Sequence, residues 1–255
     1  MTMRSAIGYL SRVLCLMVLI TGWAVAQSAA PSEADVHRRA QELLGKMTVE
    51  EKVGQLNQVS GVPSPTDLKP DEAIKKGQVG SVLWVFDVKE INRQQHLAVE
   101  KTRLHIPLLV GFDVIHGYRT TFPVPLAMAS SWDPSVEEQA QRVAREDSRA
   151  AGINWVFTPM VDIVRDSRWG RLAEGAGEDP YLGSAMARAQ VLGLQGETIG
   201  PDTVLACVKH FAGYAASEGG RDLDSSDIPE SLLWNVYLKP FHAAEQAGVG
   251  SFMSA

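Results

Sequence analysis

Arginines, acids and a tryptophan crowd into one stretch of the chain, Arg165 to Gly183, which reads RDSRWGRLAEGAGEDPYLG. Arg165, Arg168 and Arg171 stand there among Asp166, Glu174, Glu178 and Asp179, with Asp162 just upstream and glycines between them. Unpaired burial of such groups is too costly, so they form either a solvated turn or a paired network lining a cleft. The solvated turn is the ordinary fate of a charge cluster. Two features favour the cleft. The stretch lies between the strand-like run Trp155-Val156-Phe157 and a helix-like run, Ser184 to Leu194, the place where α/β folds carry function. Trp169, flanked by Arg168 and by Gly170-Arg171, also sets a flat apolar face beside fixed donors. That pairing suits a sugar ring, whose C–H face stacks on an aromatic while its hydroxyls bind charged groups.

The elements that hold this stretch alternate along the chain. Ser81 to Phe86, Pro107 to Phe112, Asn154 to Met160, Val204 to Phe211 and Val249 to Met253 read as strands. Asp71 to Lys76, Val88 to Leu104, Pro134 to about Ala151, Tyr181 to Gln195 and Glu230 to Gln246 read as helices. Further upstream, Val36, Ala40, Leu43 and Leu44 recur at helical spacing over Ala34 to Lys46, Thr48 and Glu51 form a capping box, and Ser60 to Pro70 reads as a loop. The strands are continuous apolar runs, as in a parallel sheet covered on both faces. No glycine-rich phosphate loop follows the first of them, so the α/β pattern predicts a (β/α)8 TIM-type barrel and not a doubly wound sheet. Roughly five strands are legible where such a barrel has eight. The last has no helix to cover it, so the chain reads as the front part of a longer protein, with the barrel incomplete at its C-terminus.

Chemistry in a barrel gathers at the carboxyl ends of the strands. Those ends carry Asp87, then Asp113 and His116, then Asp162 leading into the arginine-rich loop, then Lys209-His210, then Ser251. Ordinary roles exist for each: an aspartate after a strand often caps a helix or turn, and a lysine beside a histidine is commonly solvated. Adjacent cations directly after a buried run need facing acids, however, and Asp113 and Glu174 are the candidates. A cluster of Asp, Arg, Lys and His without cysteine points to hydroxyl recognition, with no metal and no cofactor.

Composition sets the outer bounds. The 255 residues are 45% hydrophobic and 21% charged, with a formal net charge of −6 and no basic run, which argues against a nucleic-acid partner. Arg4 and Arg12 precede the apolar run Val13 to Ile20, and Ala24-Val25-Ala26 offers a peptidase site, so 1–26 reads as a signal peptide cleaved after Ala26. Its apolar core is shorter than the ~20 residues of a membrane span, so no stable anchor is expected after cleavage. A leader follows over 27–33, and the barrel domain occupies 34–255. Cys207 is then the one cysteine of the exported chain and reads as a packing residue.

The Arg165–Gly183 loop, Gly111-Phe112-Asp113, Lys209-His210-Phe211 and Ser251-Phe252-Met253-Ser254 together resemble glycoside hydrolase family 3, of the periplasmic or secreted β-glucosidase type, across about Ala34 to Ala255. The resemblance implies a retaining glycosidase that hydrolyses terminal non-reducing β-D-glucosyl residues from β-glucosides or cello-oligosaccharides. It implies that Asp113, Arg171, Lys209 and His210 hold the hydroxyls of that sugar, with Glu174 supporting Arg171 and Lys209 and with Asp162 and Trp169 supporting the site. Ser167 stands where the family commonly has proline, a change of turn only. After Lys209-His210-Phe211 the chain continues Ala212-Gly213-Tyr214 and lacks the proline-glycine-histidine run of the N-acetylglucosaminidase branch.

Retaining glycosidases need two carboxyl groups about 5–5.5 Å apart, a nucleophile and an acid/base. The resemblance places the nucleophilic aspartate on a later strand and the acid/base glutamate on a second domain, both beyond Ala255, so the chain alone is expected to be inactive and poorly ordered. The alternatives are a sugar-binding module without catalysis, a β-xylosidase or glucan glucohydrolase of the same family, and a phosphate-binding barrel.

Overall fold

The structure, a computed structural model, describes residues 31–61 and 70–255. The expected signal peptide, most of the leader and the 62–69 part of the expected loop lie outside the described residues. The chain divides into two units between Gln41 and Glu42. The first is described only as the greater part of helix α1 (Glu33–Lys46), in which no residue is buried. The second, Glu42–Ala255, carries the sheet and the helices packed on it.

Helix α2 (Val49–Gln55) starts at the expected capping box, with Glu51 N donating to Thr48 Oγ1 at 3.2 Å and Thr48 N to the Glu51 carboxylate at 2.9 Å. Then come β1 (Gln58–Ser60), α3 (Pro70–Lys75), β2 (Ser81–Leu83), α4 (Val88–Lys101), β3 (Leu109–Phe112), α5 (Pro125–Ala129), α6 (Pro134–Ala150) and β4 (Trp155–Val156). Helix α7 (Pro180–Gln195), β5 (Leu205–Phe211), α8 (Glu230–Leu232), α9 (Lys239–Gln246) and β6 (Ser251–Ser254) complete the order. The strands form one parallel sheet in the order β1-β2-β3-β4-β5-β6. Winding in chain order, with helices between strands, is the barrel pattern; a doubly wound sheet reverses its order at a switch point. The unit is thus an α/β fold with six parallel strands of the (β/α)8 type.

The core lies between strands and helices. Val82, Val110, Val156 and Ala206 from β2 to β5 pack with Ile91, Ala144, Ile153 and Leu194, all buried. Each large member contributes about 1.5–3 kcal/mol by leaving water. A second cluster joins Val161, Val191, Val208 and Phe241.

Several elements differ from the sequence expectation, each for a physical reason. Strand β1 is a sixth strand, hidden because Gln58-Val59-Ser60 is short and mostly polar; its pairing with Ser81-Val82-Leu83 defines it. Strand β4 shrinks to Trp155–Val156 because Pro159 has no N–H for a ladder, and Met160 rejoins only as a single bridge to Lys209. The helix expected over Glu230 to Gln246 is broken into α8, a wider turn at Leu233–Tyr237 in which Leu238 N donates to Leu233 O, and α9. Pro240, which cannot donate, enforces the restart.

Candidate functional site

Strands β3, β4 and β5 lie side by side, so the residues just past their carboxyl ends meet. Asp113 follows β3, and Lys209-His210 belongs to the end of β5. Lys209 Nζ donates to Asp113 Oδ1 at 2.8 Å, with the lysine side chain 3% exposed and the aspartate 43%. His210 is tied to the segment after β4: its Nδ1 and its backbone N donate to Asp162 Oδ2 at 2.8 and 3.1 Å. An ionised carboxylate only accepts, so Nδ1 carries the proton and Nε2 is the ring nitrogen left for another partner.

Arg171 makes the third pair. Its Nε and Nη2 reach Glu174 Oε1 and Oε2 at 2.7 and 2.8 Å, a fork that fixes the guanidinium plane. The Glu174 hydrogen bonds raise the arginine well above its ordinary range. Burial pushes the Glu174 carboxyl up, but the Arg171 hydrogen bonds and the charges of Arg171, Lys209 and His210 outweigh it and leave Glu174 below its ordinary value. The same charges tie Glu174 to the other pairs, and Asp113, His116 and Glu174 line one open pocket. Asp113, Asp162, Arg171, Glu174, Lys209 and His210 are therefore brought together.

Other expected residues are placed differently. Trp169 presents no stacking face: it is 1% exposed, donates Nε1 to Asp222 Oδ1 at 3.1 Å and packs edge-on against Tyr214. Its apolar area is worth more under the loop than at the surface. Among the described residues the Glu174 carboxylate accepts hydrogen bonds from Arg171 alone, and Asp162, not Glu174, accepts from His210. Ser251 opens β6, at the amino end of that strand and not at its carboxyl end; its hydroxyl donates to Ala206 O and accepts from Trp155 Nε1. Asp87 takes the ordinary capping role on α4. The outer part of the long loop is also ordinary, a solvated Arg168–Asp166 pair that holds the Asp166 carboxyl at about 2. Cys207 is buried and unpaired, as expected.

Tyr214 and Asp222 lie beside this cluster, and sequence reasoning passed over both. Tyr214 touches His210, Trp169 and Arg171. It stands outside any charge cluster, and only its place just after Lys209-His210-Phe211 could have signalled it. Among the described residues no group of His, Cys, Asp and Glu is placed to hold a metal ion; the acids are engaged by cations instead.

The arrangement is one of fixed charges, each held by a partner, at the carboxyl ends of parallel strands, with Asp113 and Glu174 lining a pocket there. Comparison with known proteins identifies the family. Residues 48–255 match the glycosyl hydrolase family 3 N-terminal domain. The periplasmic beta-glucosidase of Salmonella typhimurium is 40% identical over 215 residues, which are 84% of this chain and 28% of that protein. A beta-xylosidase of Formosa agariphila is 32% identical over 89% of this chain and 28% of its own length. The crystal structure of a beta-glucosidase from Listeria innocua in complex with isofagomine superposes with a TM-score of 0.79 at 37% identity, covering 86% of this chain and 32% of the other. This chain thus spans under a third of the length of these relatives, and it belongs to glycosyl hydrolase family 3, whose N-terminal domain it carries.

Proposed function

We propose that this chain forms the sugar-holding part of an exported β-glucosidase, with Asp113, Arg171, Lys209 and His210 as ligands of the terminal non-reducing glucosyl unit. The observation that carries the reading is the pairing itself. Asp113, Asp162 and Glu174 are each engaged by a cation or by N–H donors. A carboxylate so engaged suits accepting hydroxyl protons and orienting neighbours better than attacking an anomeric carbon or shuttling a proton. The nucleophile and the acid/base then come from residues outside these 255, on the spacing a retaining mechanism needs. Pre-paired charges fit the other half of the task. They are oriented before the substrate arrives, so little reorganisation opposes binding.

Relatives of known name support the substrate class. They include beta-glucosidases, among them the Listeria innocua protein, determined with glucose and, as a mutant, with laminaribiose, and a beta-xylosidase. The periplasmic relative, together with the signal peptide read over 1–26, supports export to the periplasm.

The test is turnover by the full-length protein on an aryl β-glucoside and an aryl β-xyloside. A preference for the glucoside, with kcat/KM reduced at least about 10-fold in Arg171→Ala, is expected, since a charged hydrogen bond contributes about 1.5–3 kcal/mol. Absence of glucosidase turnover, or wild-type kinetics in Arg171→Ala, overturns the reading.

A further inference from the structure

We propose that Tyr214, with Asp222 behind it, is a positioning residue that sets Arg171 and His210 in their mutual arrangement. The inference rests on the reading of those two as sugar ligands. Arg171 and His210 come from different segments, the loop after β4 and the end of β5, and the acids that bind them, Glu174 and Asp162, both belong to the β4 side. Tyr214 touches both. Its ring meets the His210 ring edge-on at 4.8 Å and 72°, and the Arg171 guanidinium carbon lies 5.5 Å from its centroid. The ring's negative face attracts the guanidinium, and its edge contact with imidazole limits how far His210 turns about its bond to Asp162.

The far side of the ring is closed as well. Trp169 packs edge-on against Tyr214 at 5.2 Å, and its Nε1 is bound to Asp222. The Tyr214 phenol also faces Asp222: burial, then that carboxylate, raises the phenol above its ordinary value, with Arg171 opposing, so the phenol keeps its proton and donates it. The phenol in turn holds the Asp222 carboxyl below its ordinary value. The close approach of this segment to the arginine loop depends on Gly220. It has φ +68°, and a Cβ there would stand 2.9 Å from Arg168 Cβ and 3.0 Å from Trp169 N. Tyr214 and Asp222 thus bridge the two segments that carry Arg171 and His210.

The test uses the full-length protein and the affinity of isofagomine, measured by titration calorimetry well below the melting temperature. Tyr214→Leu is expected to weaken binding about 10-fold, and Tyr214→Phe, which keeps the ring, to restore it to within about 3-fold of wild type. Tyr214→Leu placed on Arg171→Ala is expected to add less than about 3-fold, because one of the two groups it positions is already gone. Should Tyr214→Leu not fold, Asp222→Ala removes the exposed brace without emptying the core and is expected to weaken binding about 3-fold. Normal affinity in Tyr214→Leu or in Asp222→Ala, or a full additive loss on the Arg171→Ala background, overturns the inference while a weakened Arg171→Ala keeps the sugar-ligand reading. Wild-type affinity in Arg171→Ala overturns both.

Discussion

Replacing Lys209 by methionine separates holding a sugar from holding the fold. The ammonium lies 2.8 Å from Asp113 Oδ1, with its side chain 3% exposed against 43% for the aspartate. At that separation and an effective dielectric near 20, the attraction is about 6 kcal/mol. Dehydrating the ammonium costs several kcal/mol, so most of the attraction is offset before folding gains from it. Methionine keeps the length of the stem and removes the charge that had to be buried, and Asp113, left without its cation, is exposed enough to regain water. Stability should therefore change by no more than about 1 kcal/mol, a melting shift within about 4 °C. Binding should change far more. Loss of a charged donor to a sugar hydroxyl removes about 1.5–3 kcal/mol, or about 10- to 150-fold in Kd. Calorimetric titration with isofagomine and thermal unfolding of the full-length Lys209→Met variant measure the two quantities on one sample. An unchanged Kd beside a melting temperature lowered by many degrees would show that Lys209 and Asp113 are a structural pair, and the reasoning fails.

The Arg171–Glu174 pair and the Gln195 bridge give two other expected outcomes. The folded-state carboxyl of Glu174 titrates below its ordinary 4.5, so its stabilising contribution is complete above the unfolded value and is lost as pH falls through the lowered folded one. Melting temperatures of wild type and Glu174→Gln between pH 3 and 6 should therefore converge toward the acid end, and a constant gap would refute the linkage. Gln195 accepts from Ala206 N and Gly250 N at 2.9 Å each and donates to Gly248 O at 2.9 Å, joining α7 to β5 and β6. Gln195→Leu strands those backbone groups at about 1–3 kcal/mol apiece, and amide exchange of β6 residues should accelerate at least about 10-fold; unchanged exchange would refute the bridging role.

The fold class was legible because it rests on a coarse signal, continuous apolar runs alternating with helical ones, that survives errors at element ends. Strand ends were not legible. Nothing in Asn154 to Met160 except Pro159 marks the ladder as stopping after Val156. Within the cluster, Asp113 and Lys209-His210 stood out by place, since charges directly after buried runs need partners, whereas Arg171 was singled out from its loop only by the family resemblance. Which acid serves which cation was not recoverable. Asp162 and Glu174 are twelve residues apart on one segment, and only the path of the chain between them decides that the first meets His210 and the second Arg171. Trp169 misled for a related reason: neighbouring charges suggested exposure, whereas the indole is covered by a segment some fifty residues on, through Asp222.

The deepest gap between sequence and site lies in Lys209 and His210 themselves. Neighbours in a regular strand point to opposite faces, and a slip of one residue exchanges those faces. Val208 keeps to that rule and packs with Val191 and Phe241 from the helices, which leaves the opposite face to Lys209. By strict alternation His210 would join Val208 among the apolar side chains. It does not, and takes its bonds from Asp162 after β4. The pairing of β5 with β6 shifts register between Lys209 and Phe211, an irregularity of the kind that re-aims a side chain beside an active site. The shift lets two adjacent residues each meet an acid from a neighbouring strand end while the strand below them stays in step with its neighbours. It also ties the cluster to assembly, because Asp113 just past β3, Asp162 past β4 and Lys209-His210 at the end of β5 meet only when those three strands hold their register. A substitution that restored regular pairing past Lys209 would turn His210 away from Asp162, breaking their pair without replacing either residue.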